Sequence, residues 1–460
     1  MIPPKPKSRA DKVSLWQYLR LFRKDILSAQ PERLYRAKMA AFRTPFFQSY
    51  LINQPDLIDT VLKERPKDFP KSDRIGEGLR PLLGRAVFVT NGAEWEKQRR
   101  IIDPAFEHGR LKESFPSIIK AGQAACERLR AKPGRVEIES FTSHLAADVI
   151  FRSLFSIPIT HEVAAQVFEE FQTYQRNQPL LNIAAFVPLP KWVPRFHKAS
   201  VRDSARKIRA LIRDLTQERA REIAAGTAPD DLATKIMTQK DPETGQIFTT
   251  EDMIDQVAIF FLAGHETSAS ALSWALYLLA ASPETQGRVV NEANTLTSDM
   301  AFSEVSKLPF TRNVFKETLR LYPPVPMMVR ETTKTEHFRN LDQKTGAQMV
   351  ISPWHLHRHV DIWDRPDEFD PDRFGTEQGL SSLRSGYLPF SSGPRVCPGA
   401  GFAMLEGTLL LAQLLRGFQF ELTGDPPPVP VAFLTVRSRD GITLEIRPRP
   451  TDNTAKHRPE

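Results

Sequence analysis

The sequence predicts a mainly α-helical fold with small β-sheets near both ends of the chain. Three observations predict it. Apolar residues recur at helical spacing through most of the chain. Strand-like runs are few and short. Proline is frequent (37) and glycine is not (22), which suits many rigid corners between helices. The 460 residues are 41% hydrophobic and 26% charged. That composition permits a sizeable core and excludes collagen, coiled coil, general disorder and a disulfide-rich miniprotein.

In chain order, a strand-like run at 46–52 precedes the helical patterns. These fall at 57–64, 94–104, 111–131, 138–154, 160–175, 199–225, 250–281, 283–296, 310–321 and 401–417. Later strand-like runs are 350–351, 431–436 and 442–446, the last two reading as a hairpin around Arg439-Asp440-Gly441. Proline-rich stretches at 186–194 and 425–430 carry interleaved apolar residues and do not read as linkers. With no internal repeat, residues 1–460 read as one domain. Its β-rich lobe is expected mainly from about 30–70, 330–360 and 430–447, with a frayed tail at 449–460.

Lysine and arginine number 63 against 55 acidic residues, a net charge of +8. No nucleic-acid-type basic block stands out, so the excess reads as a solvated surface and predicts no nucleic-acid partner. Residues 1–30 lack the apolar core of a signal peptide and predict no membrane anchor. The most apolar long stretch, 257–281, is interrupted by His265, Glu266 and Thr267 and reads as a buried helix. The expected compartment is the cytoplasm. Two cysteines cannot build a disulfide framework, and Cys126, within a helical pattern, reads as a small buried residue.

Cys397 is different. It lies in Phe390-Ser-Ser-Gly393-Pro-Arg395-Val-Cys397-Pro-Gly399, directly before a helical pattern. A helix N-terminus favours the thiolate. Gly393 and Gly399 let the backbone turn sharply and pass close to a flat ligand, and Arg395 adds positive charge. Such a thiolate is a metal ligand or a nucleophile. Nucleophilic catalysis would want a histidine base, and zinc more cysteine or histidine ligands, for which no local pattern argues.

The segment resembles the haem-binding loop of the cytochrome P450 family, Phe-x-x-Gly-x-Arg-x-Cys-x-Gly, with all five fixed positions filled. A single thiolate matches the thiolate-ligated haems, where sulfur pushes electron density toward iron. Further segments occur in family order. Trp363-x-x-Pro366-x-x-Phe369-x-Pro371-x-Arg373-Phe374 is similar to the stretch before the loop. Upstream, Glu317 and Arg320 match Glu-x-x-Arg, and their spacing puts both on one helix face. The resemblance implies that they bond to Arg373 and lock the core behind the haem.

Ala263-Gly264-His265-Glu266-Thr267 resembles the oxygen-binding centre of the family's long helix. Small residues there admit a planar group. A mid-helix threonine can bond back to the carbonyl four residues earlier, here Ala263. Trp95-x-x-x-Arg99 resembles the helix that reaches the haem propionates, and Arg330 a further propionate-pairing arginine. The pattern departs at Gln98, where many relatives carry histidine.

What the resemblance implies is a triangular, helical cytochrome P450 fold, with haem b between the helix of Thr267 and the helix after Cys397. The implied reaction is O2 activation and insertion of one oxygen into a hydrophobic small molecule. Cys397 is then the iron ligand. Trp95, Arg99, Ala263, Gly264, Arg330, Phe390, Gly393, Arg395 and Gly399 contact the cofactor, while Thr267 and Glu266 supply protons. The substrate pocket would draw on Ile259, Phe260, Ala263, Val325, Met327, Met328 and Phe433, entered near 74–83 and 171–196. Two electrons come from a separate ferredoxin or flavodoxin-type donor with its reductase, docked near Lys97 and Arg100. Rivals within this fold, a peroxygenase, isomerase or dehydratase, often lose the acid–alcohol pair, which this chain retains. A non-catalytic haem sensor is the rival from another class.

Overall fold

The longest helix among the described residues, Thr250–Ala280, starts at a reciprocal cap. Thr249 Oγ1 accepts from the Asp252 N–H at 3.2 Å, and Asp252 Oδ2 accepts from the Thr249 N–H at 3.0 Å. Two donors that the first turn would leave unpaired are thereby satisfied. The molecule is described here from a computed structural model covering residues 1–43, 48–177, 198–432 and 434–450. The Thr250–Ala280 helix is buried along most of its length, which explains why its sequence is apolar on nearly every face. It packs against Ile138–Phe155, Ala199–Ala225, Pro309–Leu321 and Ala400–Gly417.

Gly264 is needed for that packing. A Cβ there would stand 2.4 Å from Ile150 Cδ1 on the Ile138–Phe155 helix. Its smallness serves a helix–helix contact, a requirement that the sequence did not reveal. Ala263, next to it, is exposed.

The other expected helices form within a few residues of their predicted ends, except that 57–64 divides into Pro55–Asp59 and a π-helical turn, Thr60–Glu64. Leu15–Lys24, Asp73–Leu83, Leu232–Thr238 and Glu377–Gly386 were not expected. Asp73–Leu83 holds Gly76, Gly78 and Pro81, poor helix formers. Buried Leu79, Leu82 and Leu83 hold it, and it packs on Ala199–Ala225.

The main sheet runs in the order Met39–Arg43, Gln48–Ile52, Gln348–Ile351, Met328–Glu331. Only the Gln48–Ile52 to Gln348–Ile351 pair is parallel. This sheet matches the first two parts of the expected β-rich lobe. The third part does not join it. Pro430–Ala432 folds back on Val436–Ser438, while Thr443–Pro448 pairs with Gly134–Glu137 and Phe418–Leu422. The expected hairpin between 431–436 and 442–446 is therefore absent. Both edges of Thr443–Pro448 are taken by Gly134–Glu137 and Phe418–Leu422, which leaves none for 431–436. Residues 44–47, the 186–194 stretch and the tail at 451–460 lie outside the described residues.

Candidate active site

The cysteine loop is held by its own backbone. Cys397 N–H donates to Phe390 O at 2.9 Å, and Val396 N–H donates to Gly393 O at 3.0 Å. Gly393 has φ +70°, and a Cβ there would sit 1.9 Å from Leu62 O. One close approach that requires glycine is to the Thr60–Glu64 turn, which the sequence did not reveal. Gly399 has ordinary φ, and a Cβ there would meet only Cys397 Sγ, at 4.0 Å. Phe390 is half-buried against the main core. Cys397 is exposed, whereas Cys126 is buried, bonds to Gln413 O at 3.9 Å and has its thiol pushed up to about 11 by burial.

Trp95 and Arg99 share the Gly92–Ile102 helix. Arg99 Nη1 donates to Val396 O at 2.8 Å, beside the cysteine. Its Nε lies 2.7 Å from Asp103 Oδ1 without a well-directed hydrogen bond. Arg395 stacks over the Trp95 ring at 4.1 Å and donates to Asn91 Oδ1 at 2.8 Å and to Thr90 O at 3.2 Å. Gln98 turns away from the loop: it accepts from Thr90 Oγ1 at 2.6 Å and donates to Arg85 O at 2.7 Å.

Sequence reasoning missed Lys71. A β-bridge between Lys71 and Arg330 places both beside the site. Burial pushes the Lys71 ammonium well below its usual range, and Arg330, Arg395 and Arg99 push it further. Arg395 is lowered to about 10 by burial, then by Arg330 and Arg99; Arg330 is lowered to about 10 by burial. Solvent reaches the surface of the Cys397 sulfur, yet the protein packed around the loop raises its thiol, opposed by the Gly399 N–H, Arg99 and Lys71. The expected lowering is thus not supplied by the loop alone; a bound metal would deprotonate the sulfur outright. One exposed sulfur with four basic side chains around it is a donor set that fits haem: Cys397 would take the iron, and Lys71, Arg99, Arg330 and Arg395 would take the two carboxylates, whose charge would favour a protonated Lys71.

On the long helix, Ala263 is exposed and Thr267 partly so, within an otherwise buried run. Thr267 Oγ1 donates to Ala263 O at 2.6 Å, as the spacing predicts. Glu266 is buried and fully engaged. It accepts from Gln175 Nε2 at 2.9 Å, Thr435 Oγ1 at 2.8 Å and Arg437 Nη2 at 2.8 Å. Val325 is exposed, and Phe260, Met327 and Met328 are partly exposed. Ile259 is packed in the core at 5% exposure. Phe433 and the entrance residues 178–196 lie outside the described residues.

Behind the loop, Glu317 joins both arginines. Arg320 donates to its two oxygens at 2.8 Å each, and Arg373 Nε donates to Oε1 at 2.9 Å. Arg320 also reaches the carbonyls of His357, Pro366 and Glu368. His357 was not foreseen. Burial lowers its pKa to about 3, so it is neutral. Leu388 N–H donates to His357 Nε2 at 2.8 Å, which leaves the hydrogen on Nδ1 to donate to Arg320 O at 3.1 Å. This imidazole ties the frame to the segment entering the cysteine loop.

The expected docking charges are corrected. Arg100 lies 2.6 Å from buried Asp241 and 3.0 Å from Glu243, and Lys97 donates to Gln246 at 2.7 Å. The 239–247 segment covers that helix face, so Arg100 offers no free positive charge to a donor.

Glu406, on the Ala400–Gly417 helix, accepts from Ser268 Oγ at 2.6 Å, while its buried Oε1 has no partner among the described residues. Burial pushes its carboxyl up to about 8 from a usual 4.5. Between those values the native state holds a proton that the unfolded chain has lost, so stability falls as pH rises through the window. Glu406→Gln keeps a group that Ser268 can bond. Its thermal midpoint is expected to fall less steeply over that range than the wild type's; parallel midpoints would show that Glu406 is ionised throughout.

Comparison with known proteins agrees with this geometry. The family model described as cytochrome P450 matches residues 38–444. Taurochenodeoxycholic 6 alpha-hydroxylase of Sus scrofa is 31% identical over 427 residues, covering 87% of this chain and 82% of the relative. Cyclooctatin synthase of Streptomyces melanosporofaciens is 29% identical, covering 87% and 84%. The crystal structure of the cytochrome P450DA heme domain superposes with a TM-score of 0.78 at 24% identity, covering 98% of this chain and 97% of that one, a likeness in fold. The chain belongs to the cytochrome P450 family, as an oxidoreductase with a haem cofactor.

Proposed function

We propose that this cytochrome P450 monooxygenase oxidises a hydrophobic small molecule, taking two electrons from a separate ferredoxin or flavodoxin-type donor in the cytoplasm. The observation that carries the reading is the single exposed thiol, Cys397, set among Lys71, Arg99, Arg330 and Arg395. Bound haem supplies the O2 chemistry. Cys397 ligates and the four cations orient; Arg99 couples the two tasks through its bond to the Val396 carbonyl.

Thr267 is assigned the proton-donating role at the reacting oxygen. Its bond to Ala263 O fixes the hydroxyl on the exposed stretch of the helix. Glu266 is assigned a supporting role, because its carboxylate is already shared among Gln175, Thr435 and Arg437. The apolar residues Phe260, Val325, Met327 and Met328 support a hydrophobic substrate, which must leave water to reach them.

The test is a ligand library scored by shifts of the haem absorption band. Shifts concentrated among apolar compounds, followed by oxygenated product from the best binder with a reduced donor, are expected. Shifts confined to charged, polar compounds would overturn the substrate class.

A further inference from the structure

The net charge is not evenly spread, which corrects the reading of a generally solvated surface. Residues 1–38 hold ten basic and three acidic side chains, a net +7 of the chain's +8. Within them lies the Leu15–Lys24 helix, which contains Arg20, Arg23 and Lys24 and no acid. The acidic residues of the segment are committed elsewhere. Asp25 is buried and accepts from the N–H groups of Leu27, Ser28 and Ala432. Asp11 lies 3.9 Å from Arg33, and Glu32 lies 3.8 Å from Lys5. Among the described residues no carboxylate pairs with Arg20, Arg23 or Lys24.

The helix has two different faces. Tyr18 points inward, stacking on Phe42 at 6.4 Å. Trp16, Arg20 and Arg23 recur at spacings of four and three, so they share one face, with Lys24 at its edge. Trp16 is 78% exposed, the most exposed large aromatic among the described residues. Leu19, beside it, is partly exposed. An indole among uncompensated cations suits a lipid headgroup layer, where the ring takes the interface and the cations meet phosphates. A polyanion such as heparin would use the charges and leave the indole without an apolar partner; an acidic protein could seat both, and the vesicle assay below separates it from a bilayer. No helix among the described residues is long and apolar enough to cross a membrane, so the contact would be peripheral.

We propose that the outer face of Leu15–Lys24 is a docking site for an anionic lipid bilayer, with Trp16 at the headgroup level and Arg20, Arg23 and Lys24 on lipid phosphates. Each cation near such a surface contributes roughly fivefold to the binding constant, so losing three lowers it about 10²-fold.

The experiment uses the haem-loaded protein and sedimented vesicles, of phosphatidylcholine alone or mixed with phosphatidylglycerol. Binding is expected only to the mixed vesicles, and it should weaken as salt rises. Arg20→Gln with Arg23→Gln and Lys24→Gln should lower it about 10²-fold. Trp16→Ala should lower it at unchanged charge, and each variant should keep the wild-type CO-bound spectrum. A water-soluble quencher should reach fewer tryptophans when vesicles are present, and Trp16→Ala should abolish that difference. Absence of binding, equal binding to both vesicle types, or undiminished binding by the triple variant would overturn the proposal. So would a triple variant that loses only heparin or acidic ferredoxin binding, since that assigns the charges to a soluble partner.

Discussion

Replacing Glu317 by alanine is expected to destabilise the protein by about 3–5 kcal/mol, the range for removing one partner of a buried charge network. Glu317 and Arg320 have fully buried side chains, and Arg373 is nearly so. The carboxylate serves two guanidinium groups and the Asp370 N–H at 3.0 Å. Without it two positive charges remain in the core with carbonyl partners and, for Arg320, the Trp363 ring at 5.2 Å. The damage should spread along the path Arg320 to His357 to Leu388, so haem content should fall with stability. Denaturant midpoints of wild type, Glu317→Ala and Glu317→Gln measure the effect. Glutamine should be intermediate, because it retains an acceptor but not the charge. A cost below about 1 kcal/mol for alanine would mean that the arginines are held by the surrounding carbonyls alone.

Thr267→Ala is expected to divert electrons from product to hydrogen peroxide while donor oxidation continues. Proton transfer by a positioned side chain is worth ~10²–10⁴-fold, so the product formed per donor oxidised should fall steeply. The hydroxyl is well placed for it, anchored to Ala263 O within the exposed stretch of a buried helix. Thr267→Ser should restore much of the coupling, since it keeps the hydroxyl and the back-bond to the Ala263 carbonyl. Haem content and substrate affinity should not change in either variant. Unchanged coupling in Thr267→Ala with a true substrate would remove Thr267 from proton delivery.

The parts of the site that could be read in the sequence are those written locally. The cysteine loop, Glu317 with Arg320, and the Ala263 to Thr267 stretch each lie within one element, where spacing alone fixes which side chains meet. What escaped was built by tertiary approach. Lys71 joins the basic cluster through its bridge to Arg330 and its backbone bonds to Asn91, which also accepts from Arg395. His357 matters because Leu388 and Arg320 meet across it. Arg100 stands on the helix face that periodicity assigns to solvent, but Asp241 and Glu243 fold over it. Gly264 and Gly393 were singled out for a flat ligand, and a further need for glycine at each went unseen. Each gives way to a protein neighbour, Ile150 and the Leu62 carbonyl, which no local pattern names. The helix Asp73–Leu83 was hidden by its glycines and proline, since packing rather than propensity holds it.

The central claim is that Cys397 ligates the haem iron, and the absorption spectrum of the reduced, CO-bound protein tests it most directly. The wild type and Cys126→Ala should both show the red-shifted band of thiolate ligation, because Cys126 is buried against Gln413 and has no part in the site. Cys397→Ala should lose that band, whether or not haem is still retained by Lys71, Arg99, Arg330 and Arg395. A red-shifted band that persists in Cys397→Ala would contradict the assignment.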